Sequence, residues 1–192
     1  MESSSSTLEE LTLESVKAEI YSRNNPNLTP VDIELHAEVV FRILELKKKH
    51  NAVILGHNYM EPLVFGLSEQ GEQGDSLALS MSAAQAESDF IIFNGVRFMA
   101  ETAKIVNPDK KVIIPDMDAG CSLADSAPEE IFKEWVDKHP NHIVISYINC
   151  SAEIKALSDI ICTSANAKKV VESVPKEKKI LFAPDKFLGK YI

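Results

Sequence analysis

The stretch Ala52-Val53-Ile54-Leu55-Gly56-His57-Asn58-Tyr59 decides the fold. Its four apolar residues follow a lysine-rich stretch and end at a glycine, so they read as a strand buried on both faces, with polar residues in the loop at its carboxyl end. The same pattern recurs. Apolar runs of strand length stand at 90–93, 112–114, 143–145, 160–161 and 180–182, and helix-like stretches cover 76–87, 98–106, 128–138 and 165–174. Strands that are apolar throughout and alternate with helices predict an α/β fold with parallel sheets covered on both faces.

Upstream of this region the period is helical. Apolar residues at 8, 11, 13, 16 and 20 suggest a helix over 8–23. A second is better marked: Thr29 and Pro30 read as its N-cap and first residue, and Ile33, Val39, Val40, Ile43 and Leu44 make a stripe that ends at Lys47-Lys48-Lys49. Residues 1–6, MESSSS, read as a disordered leader with no basic and apolar signal segment.

The 192 residues are 45% apolar and 26% charged, the balance of a globular protein with a sizeable core. The formal charge of -9 argues against nucleic acid or an anionic membrane as partner, so a bound phosphate would need local donors. Cys121, Cys150 and Cys162 are odd in number and irregular in spacing, which points to a reducing, cytoplasmic setting rather than a disulfide scaffold.

An internal repeat is suggested. The run from Asp89 through Ile105-Val106 to Pro115-Asp116 is echoed by Asp159 through Val170-Val171 to Pro184-Asp185, with the leading aspartates 70 residues apart. Two homologous α/β domains are the expectation.

Parallel sheets bind ligands at the carboxyl ends of their strands, where loops form a crevice and following helices offer amides. That rule selects Gly56-His57-Asn58-Tyr59, Gly74-Asp75-Ser76, Ser146-Tyr147-Ile148-Asn149, Thr163-Ser164-Ala165-Asn166 and the loop 116–121. His57 and Tyr59 read either as core and packing residues or as an imidazole and phenol that orient or protonate an anion. Ser76 and Ser164 read first as helix N-caps, a position that also suits a carboxylate or phosphate. Cys150 and Cys162 have the context of buried, inert thiols, and Cys121, after Gly120 in a polar loop, looks presented for use. No CxxC pair, GxGxxG, GxxxxGK[ST] or GxSxG occurs, so a four-cysteine zinc site, standard nucleotide binding and an α/β-hydrolase triad are not supported.

The segments GHNYM at 56–60, GDSL at 74–77, GVRFMAETAKI at 95–105, DAGCSLAD at 118–125, YINCSAEIKALSDIICTSANA at 147–167 and APDKFLG at 183–189 resemble quinolinate synthase, the iron–sulfur enzyme family of de novo NAD biosynthesis. The resemblance runs from about Val53 to the C-terminus and leaves out the first fifty residues. It implies three similar αβα domains around a pseudo-threefold axis, of which this chain would hold N-terminal helices (1–50), a first domain (51–121) and a second (122–192), with the third absent. It also implies a [4Fe–4S] cluster held by one cysteine from each of three loops, with Cys121 as the first ligand and Cys150 and Cys162 as no ligands. The implied reaction condenses iminosuccinate, from an aspartate-oxidising enzyme, with dihydroxyacetone phosphate to give quinolinate, phosphate and water. His57, Ser76, Tyr147, Ile148, Asn149 and Ser164 would bind substrate, and Tyr59 would be the acid/base phenol beside His57.

Two departures bear on these expectations. Glu69-Gln70-Gly71-Glu72-Gln73 makes a bulky loop between His57 and Ser76, and the chain ends before the family's other cluster cysteines and its His-Pro-Glu segment. A truncated, inactive portion is therefore expected. The alternatives are a non-catalytic module for a small dicarboxylate and, with less support, a divalent-metal hydrolase using Asp116, Asp118 and His57. A homodimer is left open.

Overall fold

A computed structural model describes residues 11–22, 29–68, 73–74 and 76–192. The expected serine leader lies outside these residues. Helix α1 (Leu13–Ser22) and helix α2 (Pro30–Lys49) pack as an antiparallel pair through buried Val16, Ile33, Ala37 and Val40, and Lys17 reaches Glu34 at 2.7 Å. The predicted start of α2 is borne out: Thr29 Oγ1 accepts the Asp32 N–H at 3.2 Å, and Asp32 Oδ2 accepts the Thr29 N–H at 2.9 Å.

The rest of the chain builds two parallel sheets, as the apolar runs predict. The first holds β1 (Ala52–His57), β2 (Gln73–Gly74), β3 (Phe90–Asn94) and β4 (Lys111–Ile113) in the order β2-β1-β3-β4. Its helices are α3 (Pro62–Phe65), α4 (Ser76–Gln85) and α5 (Arg97–Val106), with α6 (Ser122–Asp125) after β4. Alternation along each strand sends Val53, Leu55, Ile91 and Phe93 to one face, where Leu79, Ala83, Phe98, Met99 and Ala103 of α4 and α5 cover them. Ile43 and Leu46 of α2 stand over Ile54 and Ile92 on the other face, across an apolar groove of about 380 Å³.

The second sheet holds β5 (His142–Tyr147), β6 (Ile160–Cys162) and β7 (Lys179–Ala183) in the order β6-β5-β7. Helices α7 (Glu129–Asp137) and α8 (Ala152–Ala156) supply Phe132 and Ile154 to the core on one face, with Val144, Leu181 and Ala183. Ala167 of α9 (Ala167–Ser173) and Leu188 of α10 (Lys186–Tyr191) pack on the other face, with Ile143, Ile145, Ile180 and Phe182.

The repeat exists, but at a different register from the one read in the sequence. The order β2-β1-β3 matches β6-β5-β7: Gly56 faces Gln73 and Asn94 as Ser146 faces Ile161 and Ala183. Ala52 thus corresponds to His142, Gln73 to Ile161 and Phe90 to Lys179, separations of 90, 88 and 89 residues. The 70-residue echo equates β3 and β4, which are paired neighbours, with β6 and β7, which lie on opposite sides of β5. It arises because strand, helix and strand in any covered parallel sheet share one composition.

Candidate functional site

In each unit the central strand, β1 or β5, ends where the loops open. His57 closes β1 and is only 4% exposed, because the chain on either side of it is tightly packed. A side chain at Gly95 would come within 2.8 Å of the Phe93 ring and 3.5 Å of His57 Cβ. His57 Nδ1 accepts the Tyr59 N–H at 3.2 Å, so the neutral ring carries its proton on Nε2. The Tyr59 ring stands edge-on to the imidazole, 4.4 Å between centroids, and is 82% exposed. Its phenol is open to solvent while its ring rests on His57.

The loop before β2 is tied at both ends. Asn58 donates its N–H to the Gly74 carbonyl at 3.2 Å, and the Gln73 carboxamide donates to the carbonyls of Phe65 and Ser68 at 3.1 and 2.9 Å. Of the bulky stretch read at 69–73, only Gln73 falls within the described residues, and it is in β2. Ser76 is the first residue of α4 rather than its N-cap, and its side chain is outside the described residues.

Tyr147 ends β5 at the position corresponding to His57. Burial pushes its phenol above the ordinary 10.0, the Ser164 side chain opposes that shift, and the nearby charges of Asp185, Tyr59 and Cys162 add to it. Tyr59 of the first unit and Tyr147 of the second therefore stand close enough to feel each other's charge. Ile148 is buried and donates its N–H to the Cys162 carbonyl at 2.8 Å, and Asn149 is half-buried.

Ser164 is exposed, and it is not the cap of α9. Asn166 occupies that position; its Oδ1 accepts the Thr163 N–H at 2.7 Å, which turns the chain over 163–166 and leaves Ser164 in the turn beside Tyr147. His57, Tyr59, Tyr147 and Ser164 are thus associated at the strand ends. Asp185 was not singled out from the sequence. It caps α10 by accepting the N–H groups of Phe187 and Leu188 at 2.8 and 3.0 Å, and its charge helps to raise the Tyr147 phenol. Between the units a groove of about 650 Å³ runs along Met81, Ile105, Ile148, Ala152 and Ile161. Its walls are apolar, so an anion is better served by the strand-end donors.

The cysteines separate as their contexts suggest. Cys150 and Cys162 are buried in different cores of the second unit, and burial raises both thiols, that of Cys150 to about 11. Cys121 is half-buried at the N-cap of α6, with extended backbone. Its loop is held beside α5 by the Arg97 N–H, which donates to the Ala119 carbonyl at 2.8 Å. Among the described residues no three His, Cys, Asp or Glu side chains are grouped to hold a metal ion, and Asp116 and Asp118 are exposed. The described residues therefore offer an iron–sulfur group one thiolate, not a ligand set.

Two covered parallel sheets of matching strand order define a repeated α/β protein of αβα units. The chain belongs to the quinolinate synthetase A family, whose model, described as Quinolinate synthetase A protein, matches residues 41–192. The quinolinate synthase of Synechocystis sp. is 54% identical over 165 residues, 86% of this chain and 51% of that protein. Those of Nostoc punctiforme and Chloroherpeton thalassium are 54% and 53% identical over 88% and 92% of the chain. The chain spans about half the length of these relatives. Matches of 165 to 176 residues also reach well before Val53, so the likeness includes part of the N-terminal helices that the sequence motifs left out.

Proposed function

We propose that the full-length protein is a quinolinate synthase, which condenses iminosuccinate with dihydroxyacetone phosphate and releases phosphate and two waters. The observation that carries this reading is the family match over residues 41–192, supported by His57 and Tyr147 standing at corresponding ends of the matching strands β1 and β5. The domain division at 51–121 and 122–192 belongs to the same reading; the separate cores under the two sheets support two units, with Ala124 of α6 packed in the first core.

A dicarboxylate needs neutral donors fixed before it arrives. His57 Nε2–H is such a donor, oriented by the Tyr59 N–H on the other ring nitrogen. Tyr147, whose proton burial holds more firmly, stands with Ser164 as a second pair of hydroxyls. Ser76, Ile148 and Asn149 complete the substrate wall. Tyr59, exposed beside the imidazole, moves the proton to and from the condensing carbon and nitrogen.

The [4Fe–4S] cluster of the family supplies a Lewis-acidic iron when bound, and Cys121 is the ligand this chain contributes. The enzyme would work in the cytoplasm, as three cysteines of irregular spacing suggest, fed by one that oxidises aspartate. The test is to incubate the full-length, iron-replete protein without oxygen with both substrates and measure quinolinate. Stoichiometric quinolinate and phosphate are expected; folded, iron-loaded protein that makes neither overturns the reading.

A further inference from the structure

The geometry points to Glu101 as a positioning residue: a latch on α5 that holds the loop after β5, with Tyr147 and Asn149, against the strand end that carries His57. Glu101 Oε2 accepts the Ala152 N–H at 2.8 Å, and its Oε1 accepts the Arg97 Nε–H at 2.8 Å. One carboxylate is thus shared between its own helix and the first residue of α8 in the other unit. Its side chain is 18% exposed, so water competes weakly for this charge-assisted bond.

Both elements joined by this bond lead directly to the crevice. α5 follows Asn94 and Gly95, the latter packed on Phe93 and His57. α8 follows the loop that begins at Tyr147, and its Ile154 is fully buried, so the helix cannot slide without disturbing the second core. Lys155, in the same helix, lies 5.6 Å from the Phe98 ring centre and donates to the Cys150 carbonyl, which clamps the end of that loop from the same side.

The internal repeat supplies a control. The β1–β5 correspondence matches Ala152, first in α8, to Pro62, first in α3, and each follows a residue whose side chain caps the helix, Ser151 or Glu61. Proline has no N–H, so the first unit makes no such bond. Ala152→Pro therefore removes the latch donor while copying a sequence the fold already uses. Ser151, at φ -66 and ψ 167, already has the backbone that a residue before proline requires.

The kinetic readout rests on the proposed function; a second readout does not. In the full-length protein Glu101→Ala and Ala152→Pro are each expected to raise the KM for iminosuccinate about tenfold with a smaller change in kcat, and the double variant to be no worse than Glu101→Ala, which already lacks the bond that Ala152→Pro removes. In each, the Tyr147 phenol, isolated by subtracting a Tyr147→Phe titration, should shift as the unit bearing Tyr59 moves relative to Ser164, Asp185 and Cys162. Single variants with wild-type KM and wild-type Tyr147 titration, or losses that multiply in the double variant, overturn the latch. Should Glu101→Ala not fold, Ala152→Pro decides alone. Should the wild type make no quinolinate, the proposed function fails and the Tyr147 titration still decides the latch.

Discussion

The Ser164 side chain lies near the Tyr147 phenol at the ends of two neighbouring strands, β5 and β6. Its hydroxyl opposes the upward shift that burial gives Tyr147. Ser164→Ala should therefore raise the Tyr147 pKa further, which an ultraviolet difference titration reads. Stability should change by no more than about 0.5 kcal/mol, since Asn166 and not Ser164 stands at the cap of α9. Affinity for the dicarboxylate should fall about tenfold, the effect of one hydrogen bond to a charged group. A stability loss of the size of a missing cap, with an unmoved titration, would contradict this placement.

Two substitutions at the end of β1 separate orientation from proton transfer. Tyr59→Phe keeps the N–H that holds His57 Nδ1 and the ring that touches it, so folding should be unchanged within about 0.5 kcal/mol. Turnover should nonetheless drop about 100-fold if the phenol carries the proton. His57→Ala should lose both binding and rate while the iron content of the full-length enzyme is retained. Wild-type turnover in Tyr59→Phe would leave the phenol without a chemical role.

The strands and their ends were legible because apolar runs bounded by Gly, Asn or Lys are a local signal, and the crevice follows from strand direction. What depended on distant partners was not. β2 is two residues long and has no side-chain pattern; it exists because Gln73 and Gly74 pair with Gly56 and His57. The true repeat stayed hidden because only pairing reveals that β5, like β1, is the central strand. The Ser164 turn depends on the Asn166 side chain reaching back to Thr163. Glu101 can be read in the sequence as an i, i+4 partner of Arg97, yet its second partner, Ala152, is 51 residues away.

Gly95 is required by close approach. A Cβ there would lie 2.8 Å from Phe93 Cε1, and Phe93 is fully buried, so its ring has nowhere to go. Gly95→Ala should cost about 1–3 kcal/mol by overpacking against Phe93, whereas His57, whose Cβ lies 3.5 Å from the same point, would be in ordinary contact and should keep its place. Urea unfolding measures the cost, and dicarboxylate binding checks the place of His57. Wild-type stability would show that the Phe93 pocket has slack.

The buried thiols make stability sensitive to alkali. Burial raises Cys150 from 9.0 to about 11, against a smaller opposing effect of nearby Lys155. Unfolded chains lose this proton at the ordinary value and folded ones hold it longer, so above the unfolded value the native state binds more protons and stability falls as pH rises. The Cys150 contribution is therefore complete below 9.0 and is lost as the pH climbs to about 11. Cys162 is shifted in the same direction by its own burial. Cys150→Ala should cost about 1 kcal/mol at neutral pH through lost apolar volume, and its urea midpoint should fall less steeply with pH than that of the wild type. Titrations common to both proteins cancel in the difference between the two curves. A difference that stays constant across the alkaline range would mean that water reaches the Cys150 thiol.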